Sequence, residues 1–452
     1  MIKNILADKK FYTAMMAIAL PIAMQNLISS SLNMVDTVMI GALGEKSISG
    51  VGLANQIYFL LMLFQFGVNS GVGVYLSQFW GKQDVHSIHR TLGLGILGSI
   101  VISLPFFLGA VLIPGPLMRI FTVDQGVIRE GAVYLQITGW SYLLSAFILP
   151  YAIAARSVGE ARLPMIASAV SLGCNTVLNY LLIFGVMGFP EMGVAGAAIA
   201  TVISRVVEMV VILGVIHTRP HPLRSSLKDL IELNLDFARP IARTTLPVVL
   251  NEGFWAVGMT LYAVAYARSG TDAYAAVQIA STVERLFFIF SFGLGSACSV
   301  MIGNELGANR IEEAKEMAVR FLKLGAALSL GIGLLMALIA YPATLLFNVP
   351  EGIRWAASGI LFVNALTNLL KMVSTILIIG IFRGGGDTTF SFLLEMCCVY
   401  LIGVPMAFIG ALVLGLPIYV VVLMVSLEEL VKCILGIRRV RTGVWARNLV
   451  GE

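Results

Sequence analysis

The sequence predicts an all-α membrane protein of twelve transmembrane helices in two pseudo-symmetric six-helix lobes. Three observations carry that prediction. The chain is 58% hydrophobic and only 12% charged, whereas a soluble domain carries roughly 25% charged residues. Twelve apolar stretches are long enough to cross a hydrocarbon core of about 30 Å as helices, and the second half of the chain repeats the first.

The stretches fall at residues 13–42, 48–79, 92–117, 131–155, 164–186, 193–216, 240–267, 273–303, 317–347, 355–382, 389–413 and 416–436. The first apolar run continues from Phe11 to Ala42. That is well past the roughly 7 to 15 apolar residues of a cleavable signal, so it reads as an attached first span. Five cysteines (Cys174, Cys298, Cys397, Cys398, Cys433) all sit in apolar runs with no pairing or metal-ligand spacing, and read as small buried hydrophobes.

The net charge of +5 raises the question of a nucleic-acid partner, but in a membrane chain the informative quantity is how Lys and Arg divide between the two sides. With the N-terminus inside, the cytoplasmic segments and flanks hold 22 of the 30 basic residues. The outer loops hold Lys46, Arg119, Arg129, Arg268 and Arg354, while Arg205, Arg285 and Lys371 fall within spans. This places both termini in the cytoplasm, in a multi-pass protein of the plasma membrane with the lipid bilayer as its surroundings and no nucleic-acid partner.

The polar segment from His217 to Ile241 contains Pro220 and Pro222 and lies near the midpoint. It reads as a linker (217–239) with a short interfacial helix at Leu227–Phe237, between an N-lobe (1–216) and a C-lobe (240–452). Shifted by 226 residues, Pro21 falls on Pro247, Ala54 on Ala280, Gly67 on Gly293, Gly81 on Gly307 and Gln25 on Asn251. Shifted by 227, Arg156 falls on Arg383 and Gly159 on Gly386. Each half has an even number of spans, so the copies share one membrane orientation, the pattern of transporters whose halves rock about a substrate path.

A charge at bilayer depth costs about 2.5 kcal/mol or more, so each one requires a partner, water or a function. Seven acids qualify: Asp36, Glu208, Glu252, Glu284, Glu395, Glu428 and Glu429. Asp36 lies fifteen residues beyond Pro21, roughly 22 Å along the helix and towards the outer half; its repeat counterpart is Tyr262. In span 5, Asn175 and Asn179 are four apart and share a face, against Ile402 and Met406 in the other half. Thr201 of span 6 follows the small residues Gly196, Ala197 and Ala198. One carboxylate, two amides and a hydroxyl from three helices suit a hard cation or an exchanging proton, and equally suit hydrogen bonds that stitch helices together.

Glu252, beside Asn251 in span 7, is the acid unique to the C-terminal half and a candidate substrate or second proton site. Glu284 of span 8 is another, set beside Arg285 with which it pairs in sequence. Arg205 and Glu208 pair at i,i+3. Lys371 has no acid near it in sequence, and Glu395, Glu428 and Glu429 receive no role.

Soluble-protein motifs are absent. Arg383-Gly-Gly-Gly-Asp-Thr-Thr lacks the spacing and the Lys of a phosphate loop, and His86, His89, His217 and His221 lie in cytoplasmic segments. No nucleophile with its base and no metal motif is legible, so the reading is a non-enzyme without a cofactor. The 20 Met and 24 Phe suit packing and surfaces that adapt to varied substrates.

Pro21, Asp36 and Gly41 in span 1, Asn175 to Gly185, Gly193 to Thr201, Gly303-Asn-Glu-Leu-Gly and Phe382-Arg-Gly-Gly-Gly-Asp-Thr together resemble the multidrug and toxic compound extrusion (MATE) family over nearly the whole chain. The resemblance implies a twelve-helix antiporter, a monomer, exporting organic and often cationic or amphipathic compounds in exchange for Na⁺ or H⁺. It also implies that the cation site is Asp36, Asn175, Asn179 and Thr201, where Na⁺ would be the metal. Many prokaryotic members carry aspartate where this chain has Asn179. NorM-like members carry acids in spans 7 and 10, where this chain has Glu252 about one turn away and Lys371. With a single carboxylate in the cluster, a proton is the natural coupling ion, charged and neutral Asp36 favouring different helix arrangements.

Two other classes compete. A lipid-linked saccharide flippase of the same superfamily would share two lobes but have more spans and a cationic cavity. A channel or scaffold would more naturally match polar residues in both halves, whereas Asp36 and its neighbours face Tyr262, Ile402 and Met406 across the repeat.

Overall fold

The computed structural model describes residues 9–232 and 234–451, so Lys3 of the counted basic residues lies outside the described residues. The helices run in chain order as α1 (Lys9–Gly41), α2 (Glu45–Lys82), α3 (Val85–Leu112), the short α4 (Pro114–Arg119), α5 (Gln125–Ser157), α6 (Arg162–Phe184) and α7 (Gly193–Thr218). After the short α8 (Leu227–Ile231) come α9 (Leu235–Arg268), α10 (Thr271–Gly307), α11 (Ile311–Thr344), α12 (Glu351–Phe382) and α13 (Thr388–Val413), then α14 (Ile418–Val425) and α15 (Leu427–Thr442). Among the described residues there is no strand.

Eleven of these helices are long and apolar enough to cross a membrane. The twelfth apolar stretch is helical on both sides of Ser426, which separates α14 from α15. Its hydroxyl bonds back to the Val422 carbonyl at 2.9 Å, and Glu429 N–H reaches the Ser426 carbonyl at 3.1 Å. That is an i,i+3 bond, so the turn tightens where a serine competes for backbone groups. Beyond it α15 runs on to Thr442, which places Lys432 inside the helix at 3% exposure instead of in the cytoplasmic flank where the charge count put it.

The chain divides into two units. One contains Leu20–Trp80 and Asp84–Thr245; the other contains the chain up to Ala19, Gly81–Gln83 and everything from Leu246. The division falls just before Pro21 in α1 and just before Pro247 in α9, two prolines related by the repeat.

In the first unit α3 and α7 pack along α5, and α6 lies along α7. The core holds Ile40, Leu61, Tyr134, Tyr142 and Ile183. The contact between α6 and α7 is backbone-close, because a Cβ on Gly196 would strike the Leu182 carbonyl. Small residues permit such approach in lipid, where tails are as apolar as leucine and packing contacts take over from the hydrophobic effect. In the second unit α10, α11 and α12 pack together, and Tyr262, Tyr266, Leu361, Val399 and Val421 lie in the core. Here α12 and α13 contain π-helical turns at Ile376–Phe382, Val399–Gly403 and Ile409–Val413, a geometry that redirects side chains and recurs at functional sites.

The interfacial helix is shorter than the expected Leu227–Phe237. It starts in a capping box, Ser226 and Asp229 exchanging side-chain and backbone bonds. Those bonds from Ser226 hold the Asp229 carboxyl below the usual carboxylate range. It ends at Ile231, Leu233 lies outside the described residues, and Leu235–Phe237 already belong to α9 because Asn234 Oδ1 accepts the Phe237 N–H at 2.8 Å. Leu227 and Ile231 are exposed, as befits a helix lying at an interface.

Candidate cation site

Asp36 stands near the end of α1, at 9% exposure, and Asn175 and Asn179 of α6 are fully buried opposite it. The four-residue spacing puts both amides on one face. Asn179 Nδ2 donates to Asp36 Oδ1 at 2.5 Å and to Asn175 Oδ1 at 3.0 Å. Among the described residues Asn179 Oδ1 and Asn175 Nδ2 have no partner. Buried amides of this kind are nearly always bonded, so these two atoms mark a place where a ligand could be held.

Thr201 of α7 is not bonded to that group: its hydroxyl donates to the Ala197 carbonyl one turn back, at 3.0 Å. Beside it stands Tyr134 of α5, within electrostatic reach of Asp36. A tyrosine in an apolar span, such as Tyr134, carries no distinguishing signal in sequence.

The nearest base, Arg205, is committed elsewhere. Its Nη1 lies 2.7 Å from Glu208 Oε2, the i,i+3 pair expected from sequence. Glu208 Oε1 accepts Ser168 Oγ–H at 2.7 Å, and Ser168 accepts from Gln25, which in turn accepts from Arg156. Asp36 therefore has no ion-pair partner among the described residues. A carboxylate left alone in a dry interior costs several kcal/mol, so the group is suited to take up a proton or a hard cation. The oxygens present, two from Asp36 and one from each amide, fit either. A small cleft lined by Ser29, Leu32, Ser168, Ser171, Arg205 and Glu208 opens alongside.

The second unit treats its acids differently. Glu252 Oε1 takes Arg383 Nη2 at 2.7 Å, with both side chains nearly closed to solvent. Asn251 Nδ2 donates to Glu395 Oε2 at 2.7 Å. This repeats the first unit, because Glu395 falls on Ser168 at the 227 offset and Asn251 on Gln25 at 226. The expected pairing of Glu284 with Arg285 does not form. Successive helix positions diverge by about 100°, Arg285 is exposed, and Glu284 instead accepts Lys371 Nζ at 2.5 Å and Asn364 Nδ2 at 2.8 Å. Lys371, without an acid in sequence, thus has one in space.

An all-helical chain of two repeated halves, with ionisable side chains buried at membrane depth in both, is a multi-pass membrane transporter. The MatE family profile matches residues 21–181 and 247–409, once in each half, and the chain belongs to that family, the MATE transporters. It is 24% identical to the uncharacterised transporter YisQ of Bacillus subtilis, over 98% of this chain and 96% of that one. It is 27% identical to a protein of Thermotoga maritima named "Probable multidrug resistance protein NorM", over 87% and 84% of the two chains. The fold matches a mutant of the Vibrio cholerae MATE transporter VcmN with a TM-score of 0.88 at 18% identity, covering 97% of this chain and 98% of that chain. It also matches a MOP-superfamily transporter of Pyrococcus furiosus, with a TM-score of 0.84 at 18% identity over 95% and 96%.

Proposed function

We propose that this protein is a secondary active antiporter of the plasma membrane that exports organic cationic or amphipathic compounds in exchange for protons, working as a monomer with both termini in the cytoplasm. The observation that carries the reading is Asp36: a buried carboxyl with, among the described residues, one amide donor, no paired base and unpartnered amide atoms beside it. Such a group changes charge as it gains and loses an ion, and a transporter whose two states differ in affinity for that ion is driven by its gradient. The single carboxylate favours H⁺ over Na⁺. The NorM relative's name supports multidrug export as the cargo class.

In proteoliposomes, a fluorescent cationic dye should leave under an imposed proton gradient and not under a Na⁺ gradient of the same size. Efflux driven by neither gradient would refute antiport, and efflux driven by Na⁺ alone would refute the proton assignment.

A further inference from the structure

The offset of 227 that lays Arg383 over Arg156 also lays Glu428 over Thr201 and Lys432 over Arg205, while 226 lays Tyr262 over Asp36. The second unit thus has ionisable residues at the positions of the first unit's candidate site, and they meet. Tyr262 Oη donates to Glu428 Oε2 at 2.5 Å. Lys432 Nζ lies 3.4 Å from Glu428 Oε1 and 3.0 Å from Glu429 Oε1. Exposure is 5% for Glu428 and 3% for Lys432.

The surrounding backbone accommodates the group. Gly403, at the end of a π-helical turn in α13, lies so close that a Cβ there would overlap both the Tyr262 hydroxyl and Glu428 Oε2. The tightened turn at Ser426 comes two residues before Glu428. Val399, Val421 and Val425 belong to the same core cluster as Tyr262.

The charges do not balance. Glu428 and Glu429 are two carboxyls with one ammonium between them. From α9 the group is faced by Tyr262 and Tyr266, from α13 by Glu395 and Cys398, and from α15 itself by Cys433. None of these supplies a second cation. Lys371 of α12 is engaged by Glu284, and Arg383 by Glu252. Glu395 adds a further acid, which accepts from Asn251. With every carboxyl ionised the group would hold net negative charge away from water, which burial disfavours.

A second sign of a missing ligand is the set of acceptors without donors. Among the described residues Glu429 Oε2 has no partner. Neither has Oδ1 of Asn251, a residue at 3% exposure that joins the group through Glu395. The space between the two carboxyls, where a metal ion would sit, is taken by the Lys432 ammonium. The ligand that remains is a proton.

We infer that the pair Glu428 and Glu429, bracketing Lys432 beneath Tyr262, takes up one exchangeable proton, carried by one carboxyl or the other, forming a second proton site in the C-terminal half at the repeat counterpart of Asp36. Its place in an export cycle rests on the antiport reading above, whereas proton occupancy does not. The site differs from the sequence candidates Glu252 and Glu284, each of which already has its own base.

Infrared difference spectra of the purified full-length protein across a pH titration, with no drug present, read carboxyl protonation directly. The wild type should show the C=O stretch of a protonated carboxyl, shifted in heavy water. Because a protonated Asp36 contributes a band of its own, the comparison is made in the Asp36→Asn background, where the band should persist, disappear on adding the double variant Glu428→Gln with Glu429→Gln, and grow on adding Lys432→Met. Tyr262→Phe, which removes only a hydroxyl, should move the pH at which the band is lost; this arm remains readable if the double variant does not fold. A band wholly lost in Asp36→Asn, retained when the double variant is added to Asp36→Asn, or unmoved by Tyr262→Phe in that background overturns the site. Dye efflux from the same preparations separates the two readings: no gradient-driven efflux by wild type whose band behaves as stated refutes antiport and leaves the proton site standing.

Discussion

Asn179 Nδ2 lies 2.5 Å from Asp36 Oδ1, the one hydrogen bond that ties the α1 acid to α6. The amide serves as donor to a carboxyl that has no base, because Arg205, the base within its field, is held by Glu208. Among the described residues no base pairs with Asp36, which is why the ion proposed to neutralise it comes from outside the protein.

Replacing Asp36 by Asn keeps shape and polarity and removes the titrating group. The variant should fold, since an amide is easier to bury than an unpaired carboxylate. Dye efflux under a proton gradient should fall to the rate of protein-free vesicles. Efflux that still follows the pH gradient would remove Asp36 from coupling.

Glu252 and Arg383 illustrate the opposite case, a buried pair whose members neutralise each other. Arg383→Met strands the Glu252 carboxylate, and breaking a buried pair costs about 3–5 kcal/mol. Thermal unfolding in detergent should therefore show a large loss for Arg383→Met, most of it regained when Glu252→Gln is added. A double variant as unstable as the single one would mean that the guanidinium stabilises the fold through its other contacts.

The contrast between these sites shows what sequence could reveal. The spans, the repeat and the amphipathic spacing of Asn175 and Asn179 were legible because each is written in local periodicity or in a fixed offset. So was Arg205 with Glu208, one helical turn apart. Glu284 was misread because adjacency in sequence is divergence on a helix, and its base lies 87 residues away. Thr201 shares the right region, but its hydroxyl is satisfied by its own helix, a choice that a β-hydroxyl residue makes from local geometry. Glu428 and Lys432 were missed although the 227 offset reaches them, because the repeat there preserves position and not residue type.

Asp124 supplies a pH test outside the membrane-spanning helices. As N-cap of α5 it accepts the Val127 and Gly126 N–H groups, and these bonds, with help from Lys46, hold its carboxyl below the usual carboxylate range. A depressed folded value means that the stabilisation is complete above the ordinary carboxylate pKa of about 3.9 and fades as pH falls through the folded one. Asp124→Ala should therefore unfold at lower temperature than wild type at neutral pH, and the two midpoints should converge in strong acid. A gap that stays constant down to that acid range would show that the side chain acts through packing and not as a charged cap.

Asn179→Asp tests the proposed preference for a proton. The substitution removes the donor that Asp36 now uses and puts a second carboxylate within hydrogen-bond distance of the first. Two such groups cannot both ionise unless a cation sits between them, and otherwise share a proton. A hard monovalent cation then gains two anionic oxygens in place of one, with the Asn175 oxygen still at hand, which is the change that raises affinity in oxygen-ligated sites. A Na⁺ gradient should accordingly drive dye efflux by this variant and not by wild type, and added Na⁺ should raise the thermal midpoint of the purified variant alone. If Na⁺ moves neither quantity while the variant stays folded, the oxygens around Asp36 do not form a cation cradle, and the hydrogen bonds of Asn175 and Asn179 serve only to hold α1 against α6.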